Sequence, residues 1–248
     1  MDAAQHELSD QIDQATQRLL GTARILTEPD LRAASLLPGW TRAHVLAHLA
    51  RDADAMRNLL VGARSGQDRP AYASAEARQA DIQYGAGLPP KELTADLADS
   101  AMAWRTVARQ LPDDAWQVPV RILGSAPFPA AGLLARRLVE VELHHCDLGA
   151  GYLPADWPAV FAAMELAEPM RSQRAGRLGS TRTAEPLAPV RPPAPYRPNQ
   201  RLPGSWLGTR CWPWPGRAAD RPAASGTGSG QAAGRAWPGA AGWPWRTP

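Results

Sequence analysis

Apolar positions along this chain recur at three- and four-residue intervals through the first 170 residues, and then the pattern stops. Between His6 and Thr27 the apolar side is Leu8, Ile12, Ala15, Leu19, Ala23 and Leu26, the stripe of an amphipathic helix. Gly39-Trp40-Thr41 opens a second helix with Thr41 as its N-cap, and Val45, Leu49, Met56, Leu59 and Leu60 carry its stripe to about Ala63. A shorter helix is predicted over 74–84, ended by Gly85 and Gly87. Pro89-Pro90 starts another, with Leu93, Leu97, Ala101, Trp104, Ala108 and Leu111 on one face. The run 117–123 alternates like a short extended segment, 130–146 reads as the next helix, and Asp156-Trp157-Pro158 leads into a last one over 159–166. Four long helices, each with one apolar stripe, predict an all-α four-helix bundle over residues 1–170.

Residues 171–248 have neither a 3.6 nor a 2.0 period, and Pro and Gly are too dense for helix or strand interiors. Charge divides at the same point. Residues 1–170 hold 15 Lys+Arg against 22 Asp+Glu, whereas 171–248 hold 12 Arg against only Glu185 and Asp220. The second stretch has five residues of Leu, Ile, Val, Met or Phe, too few to drive collapse, so a largely disordered tail is expected. Its six Trp are foreign to an ordinary solvating tail. One cause covers all of this: a GC-rich coding sequence read in a shifted frame from near residue 170. The single Lys91 beside 26 Arg fits a GC-rich source. A nucleic-acid-binding tail is disfavoured, because the Arg are scattered and form no repeat.

No apolar run approaches the ~18 residues of a membrane helix, and the polar N-terminus does not read as a secretory leader. Cys146 and Cys211 are too few for a disulfide scaffold or a Cys-based zinc module. A cytoplasmic setting is the expectation.

The histidines carry the chemical signal. Four of the five fall in two helices: His44 and His48 in one, His144 and His145 in another. At about 100° per residue, Glu140 and His144 share a face with Leu133, which places a carboxylate and an imidazole on a core-facing strip. His145 turns away from it, Glu142 points nearly opposite, and Cys146 reads as a small core residue. His48 flanks the stripe of its own helix, and His44 lies further out. Burying a charged Glu140 costs several kcal/mol unless it is paired. A divalent cation held by His48, Glu140 and His144 removes that cost, since two His and one Glu with an open fourth position form a catalytic Zn²⁺ ligand set. The same residues equally admit a metal-free polar cluster in which Glu140 hydrogen-bonds His48 or His144.

The segments LPGWTRAHVLAHLARDADAM, YASAEARQADI and VEVELHHCDLGAGYLPADWP resemble the mycothiol-dependent maleylpyruvate isomerase family, in order, over roughly residues 5–170. The resemblance implies a DinB-like metal-binding bundle with His48, Glu140 and His144 as ligands of Zn²⁺ or another divalent metal. It also implies mycothiol as thiol cofactor, a small carboxylic-acid substrate, and Arg78 as a group that binds either the substrate carboxylate or the thiol. The activity implied is cis–trans isomerisation through a metal-activated thiolate. A metal-dependent thiol S-transferase and a DinB-like module without activity remain as rivals. Members of that family usually continue into an α/β C-terminal domain, and nothing after residue 170 resembles it.

Overall fold

The computed structural model describes residues 1–122 and 124–178. Four long helices form the frame: α1 (Ala3–Ile25), α3 (Arg42–Ser65), α5 (Pro90–Arg109) and α6 (Gly132–Asp147). Between them lie α2 (Glu28–Arg32) and α4 (Ala75–Ala86), and after them α7 (Ala159–Ala163) and α8 (Met170–Leu178). Helices α1 and α3 each pack against both α5 and α6, so the four close into a bundle. The predicted stripes meet inside it: Ile12, Leu19, Val45, Leu49, Leu60, Leu93, Leu97, Trp104 and Leu133 are all buried. Truncating one such Leu to Ala removes about 2–5 kcal/mol of stability.

Local chemistry accounts for the helix limits. Asp2 caps α1 and accepts from the backbone of Gln5, which starts the helix a turn earlier than the stripe alone predicts. Thr27 caps a separate turn of helix with Pro29 in its first turn, so the predicted first helix ends two residues short and α2 follows. Thr41 caps α3 as read from the sequence, with His44 returning a bond to its backbone. Gly66 closes α3 in the left-handed region, at φ 66°. Of the predicted extended run, Pro119–Val120 (β1) pairs antiparallel with Phe128–Pro129 (β2). That two-residue ladder is too short to alter the all-α class.

Three hydrogen bonds tie the end of α6 to the start of α3 and the loop before it. The buried Arg42 donates to the carbonyls of Leu148 and Gly149 at 2.8 and 3.0 Å, and the Leu36 amide donates to the carbonyl of Asp147 at 2.8 Å. Helix α4 lies close on α3 at Gly85, where a Cβ would stand 2.9 Å from that of Ala47. Any larger residue there would push α4 away from α3.

Regular structure continues past the expected break at residue 170. Helix α8 runs through it to Leu178 and packs on α6, with Met170 and Gln173 buried. The sequence hides this helix because it is Arg-rich, like the tail that follows, and apart from Met170 its contacts are made by polar side chains, Gln173 and the guanidinium groups of Arg174 and Arg177. The rest of the predicted tail, 179–248, lies outside the described residues.

Candidate metal centre

Helices α3 and α6 face each other across the bundle, and the face shared by Glu140 and His144 looks toward His48. The Nε2 of His48, the Nε2 of His144 and the Oε2 of Glu140 form a triangle with every side 3.2 Å. Both rings are buried, and the carboxylate is 14% exposed. Among the described residues this is the one grouping of His, Cys, Asp and Glu whose ligand atoms converge on a point.

The triangle is close to the spacing demanded by a tetrahedral Zn²⁺, whose ligand atoms stand about 3.3–3.4 Å apart for bonds of about 2.0–2.1 Å. Without a cation, two ring nitrogens and a carboxylate oxygen face one another and one ring must carry a proton for all of them. The electrostatics reflect that arrangement. Burial pushes the His48 ring down to about 4, against the pull of Glu140. Burial alone would lower His144 too, but hydrogen bonds to Asp147 and Glu140 raise it to about 9. Burial likewise works to raise Glu140, yet bonds from His144 and His48 hold it well below the usual carboxylate range. With no cation bound, these shifts favour a carboxylate on Glu140, a neutral ring on His48 and a protonated ring on His144. The imidazolium proton supplies the positive charge that a metal ion would otherwise bring.

A second set of residues orients the ligands. His144 donates from Nδ1 to Asp147 Oδ2 at 2.9 Å, which leaves its Nε2 for the cluster. Trp40 stands edge-on to His48 with ring centroids 5.6 Å apart and walls that side. Arg78, delivered by α4, reaches His48 Nδ1 with its Nη2 at 3.2 Å and lies over the Tyr72 ring at 5.5 Å. The structure thus brings His48, Glu140, His144 and Arg78 into one cluster. One turn further along, the fully buried Arg137 pairs with Asp52 at 2.8 Å and donates to the Leu49 carbonyl. Desolvation, with Glu140 nearby, raises Asp52 to about 6.

The remaining histidines stay apart from this cluster. His44 serves the N-cap of α3 and contacts Gln83. His145 turns away from the Glu140 face, as its place on the helix predicts. It is buried toward α1, stacked on Tyr152 at 3.9 Å and bonded to Thr22. Glu142 points away from the cluster as expected, where Arg18 and Tyr152 satisfy it. Cys146 is buried, and that burial pushes its thiol up to about 12, which suits packing and not nucleophilic attack. Sequence reasoning missed Asp147, Tyr72 and Arg137. The spacing of His144 and Asp147, three residues apart on one helix, was the available signal for the first.

Residues 12–149 match the family described as the mycothiol maleylpyruvate isomerase N-terminal domain. Among solved structures the chain is similar to a mycothiol-dependent maleylpyruvate isomerase, at 32% identity and a TM-score of 0.61. The alignment covers 63% of this chain and 65% of that one, so it spans less than two thirds of that enzyme's length. A histidine-to-alanine mutant of that enzyme matches with the same values. Comparison with curated proteins gives no match.

Proposed function

The chain belongs to the mycothiol maleylpyruvate isomerase N-terminal domain family, and from that premise we propose that it is a metal-dependent isomerase that uses mycothiol to convert a cis-unsaturated carboxylic acid such as maleylpyruvate into its trans isomer. The observation that carries this reading is the 3.2 Å triangle of His48, Glu140 and His144 with Arg78 at its edge.

His48, Glu140 and His144 would hold a divalent cation, Zn²⁺ by ligand type. When bound, cation and thiol together would supply a thiolate at neutral pH; its addition to the cis double bond would shift the electron pair onto the conjugated carbonyl and leave a single bond free to rotate, and its elimination would return the same thiolate with the trans product. The protein's own contributions are positional. Glu140 offsets the charge of the cation, and Asp147 holds the His144 ring with Nε2 facing inward. Trp40 and the surrounding aliphatics keep water from one flank of the cluster. Arg78, close enough to touch a ligand ring, would take a substrate carboxylate in a charge-assisted pair and align the double bond.

The test is a paired assay of the full chain loaded with Zn²⁺. Mycothiol-dependent isomerisation of maleylpyruvate is the expected result. Conjugation of mycothiol to a model electrophile without isomerisation would move the activity to thiol transfer. Bound metal with neither activity would reduce the chain to a metal-binding module.

A further inference from the structure

The carboxylate that orients His144 is itself held from outside the bundle. Asp147 is the last residue of α6 and is 5% exposed. Its Oδ2 accepts from His144 Nδ1 at 2.9 Å and from Arg177 Nη2 at 2.7 Å, while its Oδ1 accepts from Arg177 Nε at 3.2 Å. Arg177 therefore grips both oxygens with two prongs of one planar group. A single-point cation does not fix a carboxylate plane in this way.

We propose that Arg177 is a positioning residue of the metal centre: by fixing the plane of Asp147 it fixes the ring of His144, and it thereby makes α8 part of the apparatus that holds the cation. The proposal rests on the metal reading above. Helix α8 lies beyond the residues that match the family, 12–149. It is delivered to the site by its own anchors. Arg174 donates to the carbonyls of Phe161 and Met164, and Met170 and Gln173 are buried. Arg177 also donates to the carbonyl of Gln173 one turn back, which limits the freedom of its guanidinium. Without that grip Asp147 keeps a bond to His144 but loses the restraint on its own rotation. The imidazole Nε2 then wanders from the point where three ligand atoms meet. Partners of this kind, one bond removed from a ligand, typically contribute 10- to 100-fold in metal affinity.

The experiment measures Zn²⁺ affinity of the full chain by competition with a chromogenic chelator, with far-ultraviolet circular dichroism of the metal-free protein alongside. Arg177→Met should weaken binding about 10-fold or more, with helical content unchanged. Arg177→Lys, which keeps the charge but not the fork, should fall between, and it carries the test alone if Arg177→Met does not fold. Asp147→Asn should weaken binding similarly, and adding Arg177→Met to it should change affinity by less than about twofold, because the two act in series. Affinity of Arg177→Met or Arg177→Lys equal to wild type overturns the proposal. So does a double variant whose losses multiply, which would mean that α8 acts by general packing. A wild-type chain that binds no Zn²⁺ overturns the metal reading itself, and this proposal with it.

Discussion

The Nη2 of Arg78 lies 3.2 Å from the Nδ1 of His48, so a group that can only donate faces a ring nitrogen that must accept. That places the ring proton of neutral His48 on Nε2, pointed at Glu140. Metal ligation through Nε2 requires the opposite tautomer, with Nδ1 carrying the proton. Arg78 would then have to leave the ring, and on the function proposed above its guanidinium would be presented to a substrate carboxylate.

The corresponding expectation is a separation of binding from turnover. Arg78→Ala should bind Zn²⁺ as tightly as wild type or somewhat more so, because a competitor for Nδ1 is gone. Its kcat/KM for isomerisation should fall about 100-fold, roughly 2.7 kcal/mol of transition-state stabilisation. Chelator competition and steady-state kinetics on one preparation decide it. A matching loss of metal would make Arg78 a structural support of the cluster instead.

Elemental analysis of the full chain should find about one divalent ion per molecule, as the one converging ligand set among the described residues implies. His48→Ala and His144→Ala should lose most of it. His44→Ala should keep it, because His44 spends its ring on the cap of α3. Equal losses in all three variants would count against the assigned ligands.

Metal uptake should release about one proton at pH 7. His144 is raised to about 9 in the metal-free cluster and His48 lowered to about 4, so at neutral pH a cation releases one proton to solvent, that of His144, while the proton of neutral His48 only moves from Nε2 to Nδ1. Apparent affinity should rise about tenfold per pH unit as pH climbs toward 9 and level off above it. The metal-free fold should respond in the opposite sense. The stabilisation from protonated His144 is fully present below its unfolded value near 6.5 and is lost as pH rises through about 9. Calorimetry in buffers of different ionisation enthalpy counts the proton directly. Release of none would mean that His144 is neutral before the metal arrives.

Arg137 and Asp52 form a buried pair one turn from the cluster. Removing one partner leaves an uncompensated charge in the core, so Arg137→Met should cost about 3–5 kcal/mol of unfolding free energy. Arg137→Met combined with Asp52→Leu should recover a large part of that loss. Urea unfolding of the metal-free protein measures both. An Arg137→Met variant as stable as wild type would show that Asp52 takes up a proton once its partner is gone, so that no buried charge is left uncompensated.

Much of this site was legible because a helix is a ruler. Glu140 and His144 sit four residues apart and must share a face, and His48 lies on the flank of a stripe that the bundle has to bury. Asp147 was within reach of the same ruler at three residues. The position of Arg78 followed only from resemblance, since its helix shows little periodicity and reaches His48 through the close approach at Gly85. Arg177 left no local trace. Its partner is 30 residues away, and its neighbours in sequence look like the Arg-rich stretch that follows. The split between α1 and α2 was visible in principle from Thr27 and Pro29, but an unbroken apolar stripe through Leu26 conceals it.

The last expectation concerns where the native sequence ends its control of the fold. Composition raises the expectation of a change of reading frame near residue 170, yet the residues just beyond that point make specific contacts. Arg174 satisfies two carbonyls at the end of α7, and Arg177 meets both oxygens of a buried carboxylate. Unselected sequence would have little chance of placing two guanidinium groups on those partners while burying Met170 and Gln173 on the same helix. The frame change is therefore expected downstream of codon 178. Translating the nucleotide sequence in all three frames should show the present frame continuing through codon 178 and a better open frame beginning after it. A chain cut after Leu178 should keep its metal, whereas one cut after Met170 should bind it about 10-fold or more weakly, having lost Arg177. A frame switch upstream of codon 170, or equal metal affinity in the two truncated chains, would sink this placement and return α8 to the tail.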